Sequence, residues 1–533
     1  MHLFSMRLLK FNLPRFLYFF IFFGFSCPIT VKAQQLTPSQ LDSLANKAIR
    51  TFNVPGMAIA IVKDGKVYYA KGYGVRSIVA KQKVDENTLF GIASNSKAFT
   101  TAALGILVSE GKLKWDDKVI DYIPEFRMYD PYVTSEFTVR DLLTHRSGLG
   151  LNEGDLMHNP DSTDFTIKDV IHNLRYLKPA ASFRTTYAYD NILYLVASEL
   201  IARVSGMRWV DFIEKQIMAP LQMNNSGASY VRVKHNTDII DAHREVNGKL
   251  ETIIRSDKES DVGAGGVYSS AADMSKWMLM QLNGGKYGPS LSQQLFSESV
   301  HHDMWTPQIS IPIGKPGSYN THFGAYGFGW FLVDAKGYFE VFHTGQDDGM
   351  ISEVEMIPEL HMGITVLTNQ EGGGAVRAVI DQVTDSYLGI KGTDHIQEYI
   401  DRIKRNSQAA DTVEQKIWQQ VTLNQKNNFK IDTNQYTGIY RDNWFGDVHI
   451  YMNNGKLWFR SKRSLQLNGR MFPYTGNTFV VKWNNPQINV DAFVLFTLDE
   501  NGKATGMTMK AISPQGVPGF DFQDLDFRRV RKE

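Results

Sequence analysis

Cysteine is almost missing from this chain: Cys27 is the only one in 533 residues. An internal disulfide is therefore excluded, and so is a metal site built on thiolates. Excess charge of either sign is also missing, the formal net charge being +1 at pH 7. Recognition of nucleic acid or of acidic substrates through an overall field is set aside on that ground. The 13 histidines include the neighbours His301-His302, which read as a surface loop, but no HExxH or comparable ligand spacing occurs. Neither a metal nor another cofactor is expected. There is no low-complexity tract and no internal repeat of about 20 to 50 residues.

Long apolar runs are scarce as well. The one that stands out, Phe16 to Phe25, is too short to span a bilayer comfortably and follows the basic residues Arg7, Lys10 and Arg15. With Val31-Lys32-Ala33 ahead of Gln34, residues 1–33 read as a signal peptide. The expected location is secreted or periplasmic, with no stable membrane span once the signal is removed. An uncleaved anchor and lipid attachment at Cys27 are the alternatives, although Gly24-Phe25-Ser26 fits a lipid-attachment box poorly.

What is present is enough chain for two or three domains. Thr37-Pro38-Ser39-Gln40 opens a helix with a capping box. Met57 to Val62 and Lys66 to Lys71 form a hairpin about Asp64-Gly65. Then Phe90 to Leu113 reads as one long helix whose Ala98, Phe99, Ala102, Ala103, Ile106 and Leu107 leave little surface for water. Gly111 stops it. Ser94 and Lys97 stand three residues apart at its start, on one face. A hydroxyl and an amine are costly to keep at the mouth of a buried helix. Burial disfavours a charged lysine, and a neutral amine can take the serine proton. Alone the spacing is weak: a capping serine beside a solvated lysine has the same pattern. Ser109-Glu110-Gly111-Lys112 repeats it where Gly111 breaks the shared face.

Further on, Thr138 to Thr144 reads as a short helix leading to His145 and Ser147, with His145 expected to orient a loop. Residues 164–175 and 191–206 read as helices, and Tyr189 and Asn191 frame the turn between them. Tyr451-Met452-Asn453 matches the same three-residue pattern, so its value lies in its place in the order. Ser260 to Lys276 is a glycine-rich turn and helix start without the lysine of a phosphate loop. Its Ser269, Ser270 and Asp273 read as helix caps. Strands follow over 326–342, with a turn at Ala335-Lys336-Gly337, and over 350–357 and 362–368, then a helix over 375–389. His343-Thr344-Gly345-Gln346 ends the strand before Asp347. Residues 395–418 carry a helical stripe of Ile396, Tyr399, Ile400 and Ile403. From Phe429 onward six short strands alternate with turns such as Asn453-Asn454-Gly455, predicting a small antiparallel barrel. Trp444, Phe445, Trp458 and Trp483 read as its core rather than a binding face.

Ser94-x-x-Lys97, Tyr189-x-Asn191 and His343-Thr344-Gly345 occur in that order, in the contexts FGIASNSKAFT, LLTHRSGL, AGGVYSSAADM and FHTGQDDG. Over roughly residues 37 to 390 the chain thereby resembles the serine beta-lactamase and penicillin-binding protein superfamily, in its class C-like, peptidase S12-type branch. The tail resembles the lipocalin-like β domain sometimes appended to that family. The resemblance implies an α+β domain at 34–390, an antiparallel sheet flanked by helices plus a helical lobe. A helical linker at 391–428 and the small barrel at 429–533 complete the expected layout.

The resemblance also implies roles. Ser94 would form an acyl-enzyme, Lys97 would help remove its proton, and Tyr189 would relay a proton to the leaving group and later help activate water. Asn191, His343, Thr344 and Gly345 would bind substrate, and the backbone N–H groups of Ser94 and Gln346 would form the oxyanion hole. The implied substrate is a small molecule or peptide with an amide or ester bond, foremost a D-residue peptide. An esterase or beta-lactamase is the nearest alternative, and a noncatalytic penicillin-binding sensor is one of another class. The sequence leaves the oligomeric state open. Two positions depart from the family pattern: His343 stands where many beta-lactamases carry lysine, and Gln346, expected to narrow the acyl pocket, stands where small residues are usual.

Overall fold

The computed structural model describes residues 35–530, apart from 161–162, 247, 256–257, 260–261, 428–431, 487, 489 and 514–518 and the side chains of 408–411. The expected signal peptide, Cys27 and Ser260 lie outside the described residues. Among those described, no helix is long and apolar enough to cross a membrane.

An eight-stranded antiparallel sheet carries the first unit. In spatial order its strands are Lys66–Gly74, Gly56–Lys63, Met362–Thr368, Met350–Ile357, Tyr338–Asp347, Phe331–Ala335, Gly324–Tyr326 and Ile309–Ile311. The N-terminal hairpin thus closes directly on the strand before the last helix of the unit, with Ile59 opposite Val366. Strand alternation divides the core. Met57, Ile59 and Ile61 pack with the helices Pro38–Thr51 and Gly374–Leu388, while Ala58, Ala60 and Val62 face the helical lobe. Both faces being covered, the strand is apolar almost throughout.

The layer between the sheet and the helix Gly374–Leu388 also buries acids. Glu340, Glu353 and Glu355 are each at most 4% exposed, and the Arg377 guanidinium lies against Glu353. One oxygen each of Glu340 and Glu355 has no hydrogen-bond partner. Burial, reinforced by the neighbouring Glu355, pushes the Glu340 carboxyl well above its ordinary value. A carboxyl raised on folding contributes stability below its unfolded value of about 4.3, and that contribution is lost as pH rises through the folded value. Glu340→Gln is therefore expected to flatten the fall in Tm from about pH 5 to 8 and to raise Tm by about 2 °C at the alkaline end. Scanning fluorimetry across that range checks it, and an unchanged pH slope contradicts it.

The expected helix from Phe90 to Leu113 is shorter, Ser96–Ser109. Phe90 and Gly91 pair with Ser269 and Tyr268 as a short ladder, and Ala93 has φ +47°, which a helix does not accommodate. From Ser96 to Leu107 every residue is buried, and Phe99 stacks on Trp277 at 4.0 Å. Gly111 has φ +71°, and Lys112 pairs with Glu110 at 2.8 Å rather than with Ser109. His301 and His302 are not in a loop: both lie on the helix Glu298–Met304, with the His301 ring 4.2 Å from that of Trp305. Thr138 to Thr144 forms only a 3-10 turn, at Arg140–Leu143.

One helix, His395–Lys426, joins the two units. Near its start His395 meets Asp385 at 2.7 Å, and towards its end Ile417 and Val421 pack on Val480 and Ile512. The closed barrel runs through Gly438–Asp442, Gly446–Asn453, Lys456–Ser461, Asn468–Thr475, Thr478–Trp483, Ala492–Leu498, Ala504–Ala511 and Asp526–Arg529. It has eight strands rather than the six expected, because Asn468–Thr475 and Asp526–Arg529 also pair. Trp444, Phe445 and Trp483 are core residues, whereas Trp458 is half-buried.

Candidate active site

Ser94 sits in the 3-10 turn Ala93–Asn95 that leads into the central helix. Ala93, immediately before it, holds a backbone conformation that side chains disfavour, a kind of strain concentrated at functional sites. The turn is clamped by three hydrogen bonds. The Ser352 hydroxyl donates to the Ile92 carbonyl at 2.6 Å and accepts from Asn95 Nδ2 at 2.8 Å. Ser96 Oγ accepts from the Val267 N–H at 3.0 Å. Ser94 itself remains partly exposed.

Lys97 is wholly buried. Its Nζ lies 3.0 Å from Ser94 Oγ, 2.7 Å from Asn191 Oδ1 and 3.1 Å from the Ala264 carbonyl. The last two oxygens only accept, so the amine faces Ser94 with its lone pair when neutral and with an N–H when protonated. The rings of Tyr189 and Tyr194 stand 4.8 and 5.3 Å from Nζ. Ala264 belongs to the short helix Val262–Gly265, which approaches closely because Gly263 lacks a side chain. A Cβ there would meet the Tyr194 carbonyl at 2.5 Å.

Burial drives the Tyr189 phenol well above its ordinary pKa, against a hydrogen bond with Ser94 that works the other way. Tyr189 therefore holds its proton at neutral pH. Asn191 is engaged at both ends of its amide: Oδ1 accepts from Lys97, and Nδ2 donates to the Asp155 carboxylate at 3.0 and 3.2 Å. Beneath the turn His145 takes the orienting role expected of it. Its Nδ1 accepts from the Asp190 N–H at 3.1 Å, and its ring lies 4.3 Å from that of Tyr189.

The strand Tyr338–Asp347 forms the opposite wall. His343 is buried, with Nδ1 2.6 Å from the Thr344 carbonyl and Nε2 2.9 Å from the Tyr326 hydroxyl. The first contact requires Nδ1–H, so Nε2 accepts from Tyr326. Burial pushes the imidazole pKa down to about 3, so it is neutral at physiological pH. Its ring is 6.3 Å from that of Tyr189. Gly345 is where the strand touches the Ser94 turn: a Cβ there would stand 2.1 Å from the Ile92 carbonyl oxygen. Alternation sends the side chains of Thr344 and Gln346 to the face opposite Gly345. The Gln346 amide thus leaves away from the turn instead of narrowing the pocket.

A separate cavity of about 60 Å³ is flanked by Gly265, Gly266, Tyr268, Arg255, Lys258 and Asp347. The structure brings Ser94, Lys97, Tyr189 and Asn191 together, with His343 and Gly345 behind them. It adds Asp155, Asn95, Ser352, Tyr326 and the Ala264 carbonyl, which sequence reasoning missed. Only the FGIASNSKAFT context offered a hint, since its three additional polar residues, Asn95, Ser96 and Thr100, are all buried.

The family described as Beta-lactamase matches residues 42–388, and a domain of unknown function, DUF3471, matches 432–529. Among curated relatives, the Unguisins hydrolase ungD of Aspergillus violaceofuscus is 28% identical over 392 residues, 67% of this chain and 66% of that protein. Protein flp of Staphylococcus aureus strain MW2 is 28% identical over 338 residues, 62% of each. The match thus spans just under two thirds of these relatives' length. Of solved structures, the octameric penicillin-binding protein homologue from Pyrococcus abyssi superposes with TM-score 0.59 at 22% identity, covering 92% of this chain and all of that one. A class C beta-lactamase gives TM-score 0.53 at 21% identity, covering 66% of this chain and 96% of that one. These two likenesses show a shared fold.

Proposed function

The chain belongs to the beta-lactamase family and is a serine hydrolase of the beta-lactamase-related type, and we propose that it works through an acyl-enzyme on Ser94 and turns over peptides bearing a D-residue. The observation that carries this reading is the buried Lys97 amine held 3.0 Å from Ser94 Oγ by two acceptors that fix its direction. Lys97 takes the hydroxyl proton as Oγ attacks the carbonyl carbon. The oxyanion is met by the N–H groups of Ser94 and Gln346, a pair of the kind worth about 3 kcal/mol per donor. Tyr189, holding its proton, delivers it to the leaving amine or alkoxide and then takes one from the water that deacylates the enzyme.

The neutral His343 offers a substrate carboxylate no charge of its own, so it favours uncharged groups beside that strand. This supports an aminopeptidase or ester substrate ahead of an antibiotic. Assaying D-alanyl amides, short acyl esters and a chromogenic cephalosporin on one preparation ranks the three. Ser94→Ala is expected to abolish labelling by a fluorophosphonate probe, and stoichiometric labelling of that variant contradicts the mechanism. We also propose secretion or periplasmic delivery, resting on the basic and apolar residues before Gln34. Sequencing the mature N-terminus tests it.

A further inference from the structure

The barrel reaches into the hydrolase unit at one buried carboxylate. Asp521 lies between the strands Ala504–Ala511 and Asp526–Arg529 and is 1% exposed. Its Oδ2 accepts from the Gly154 N–H at 2.7 Å and its Oδ1 from the Leu156 N–H at 2.9 Å. Those donors open the 3-10 turn Asp155–Met157, whose own cap, Gly154, has no side chain to satisfy them. Asp521 thus caps a turn in the other unit. It is held there by Phe522, buried in the barrel core with its ring 5.8 Å from Trp483, and by the Gly519 carbonyl, which accepts from Asn159 Nδ2 at 2.8 Å.

The capped turn carries Asp155, whose carboxylate fixes Asn191 Nδ2, and the other end of that amide accepts from Lys97. The preceding loop also holds the Tyr189 carbonyl through the Asn152 N–H at 2.7 Å. With Asp155 in place the Asn191 amide has one orientation. Reversed, it would aim an NH₂ at the Lys97 amine and an oxygen at a carboxylate.

We propose that Asp521 is a positioning residue for the hydrolase site, acting through the turn 154–156, Asp155 and Asn191 on the Ser94–Lys97 pair. The barrel is on this view a required part of the catalytic unit. The inference rests on the acyl-enzyme reading above.

The test uses full-length chains and a fluorophosphonate, following the maximal rate and half-saturating concentration of Ser94 labelling together with hydrogen–deuterium exchange. Asp521→Ala is expected to slow the maximal rate by about ten- to a hundredfold with little change in half-saturation. Exchange should rise in 150–159 and 188–194. Asp521→Asn, which keeps one acceptor, is expected to fall between it and the parent. Arg463→Ala supplies the control, because Arg463 joins the units elsewhere, through Asp164 at 2.7 Å and Asp169 at 3.1 Å. It should leave the rate within about twofold. If Ser94 of the parent is labelled and Asp521→Ala matches it in rate and exchange, the inference is overturned and the hydrolase reading stands. An equal loss in Arg463→Ala overturns it too, showing general loosening of the two units. If the parent is not labelled on Ser94, both fall.

Discussion

A Lys97→Ala chain is expected to keep its fold and lose at least about a thousandfold in kcat/KM. Its Nζ lies 3.0 Å from Ser94 Oγ and, as a neutral amine, can accept that hydroxyl's proton, whereas the Tyr189 phenol beside it already holds its own. Removing it strands Asn191 Oδ1 and the Ala264 carbonyl, at about 1–3 kcal/mol for each acceptor left dry. It also relieves the burial of an amine, so the net change in stability is small and the effect is kinetic. Lys97→Arg should fare little better, because a guanidinium stays protonated and has no lone pair to take the Ser94 proton. The loss should fall on the acylation rate far more than on substrate affinity. Stopped-flow acylation with an activated ester checks this, and retention of more than about a tenth of the parent rate counts against Lys97 as the base.

The second large effect is expected from a single methyl group. Gly345→Ala places a Cβ 2.1 Å from the Ile92 carbonyl oxygen and 2.4 Å from Ser352 Oγ. The first of these is backbone and cannot swing aside. The strand or the Ser94 turn must retreat by about an ångström, and overpacking of this kind costs about 1–3 kcal/mol. Activity should suffer more than stability, because the displaced turn carries the nucleophile and the strand carries the Gln346 N–H. A misplacement of that size costs about a hundredfold in rate. Thermal melts read beside kcat separate the two effects, and near-parental activity would show that the strand and turn need not touch.

The parts of this site legible in the sequence are those at fixed spacing. Three residues of helical rise link Ser94 to Lys97, and one turn links Tyr189 to Asn191. Alternation and turn signals were enough for the N-terminal hairpin and for the strands at 350–357 and 362–368, which lie where their patterns place them. Ser94 proved to sit in a 3-10 turn instead of the helix proper because of a pairing with Tyr268 and Ser269, far along the chain. Asp155, Ser352, Tyr326 and Asp521 were illegible for the same reason. Each is a common residue type whose partner is fixed by tertiary contact, and no local period marks it. The two missed barrel strands fail the local signals outright: one contains Gly469 and Pro473, and the other is Asp-Phe-Arg-Arg.

The rod His395–Lys426 sets the phase between the two halves of the molecule. Each residue of an α-helix advances the chain by about 1.5 Å and turns it by about 100°. Adding or removing one residue midway would swing the barrel by rather more than a quarter turn and carry Asp521 away from the 154–156 turn. Length in this rod is thus quantised: changes near whole turns keep the alignment, and single-residue changes destroy it. The rod's surface can drift freely in composition while its residue count stays pinned by a hydrogen bond made elsewhere.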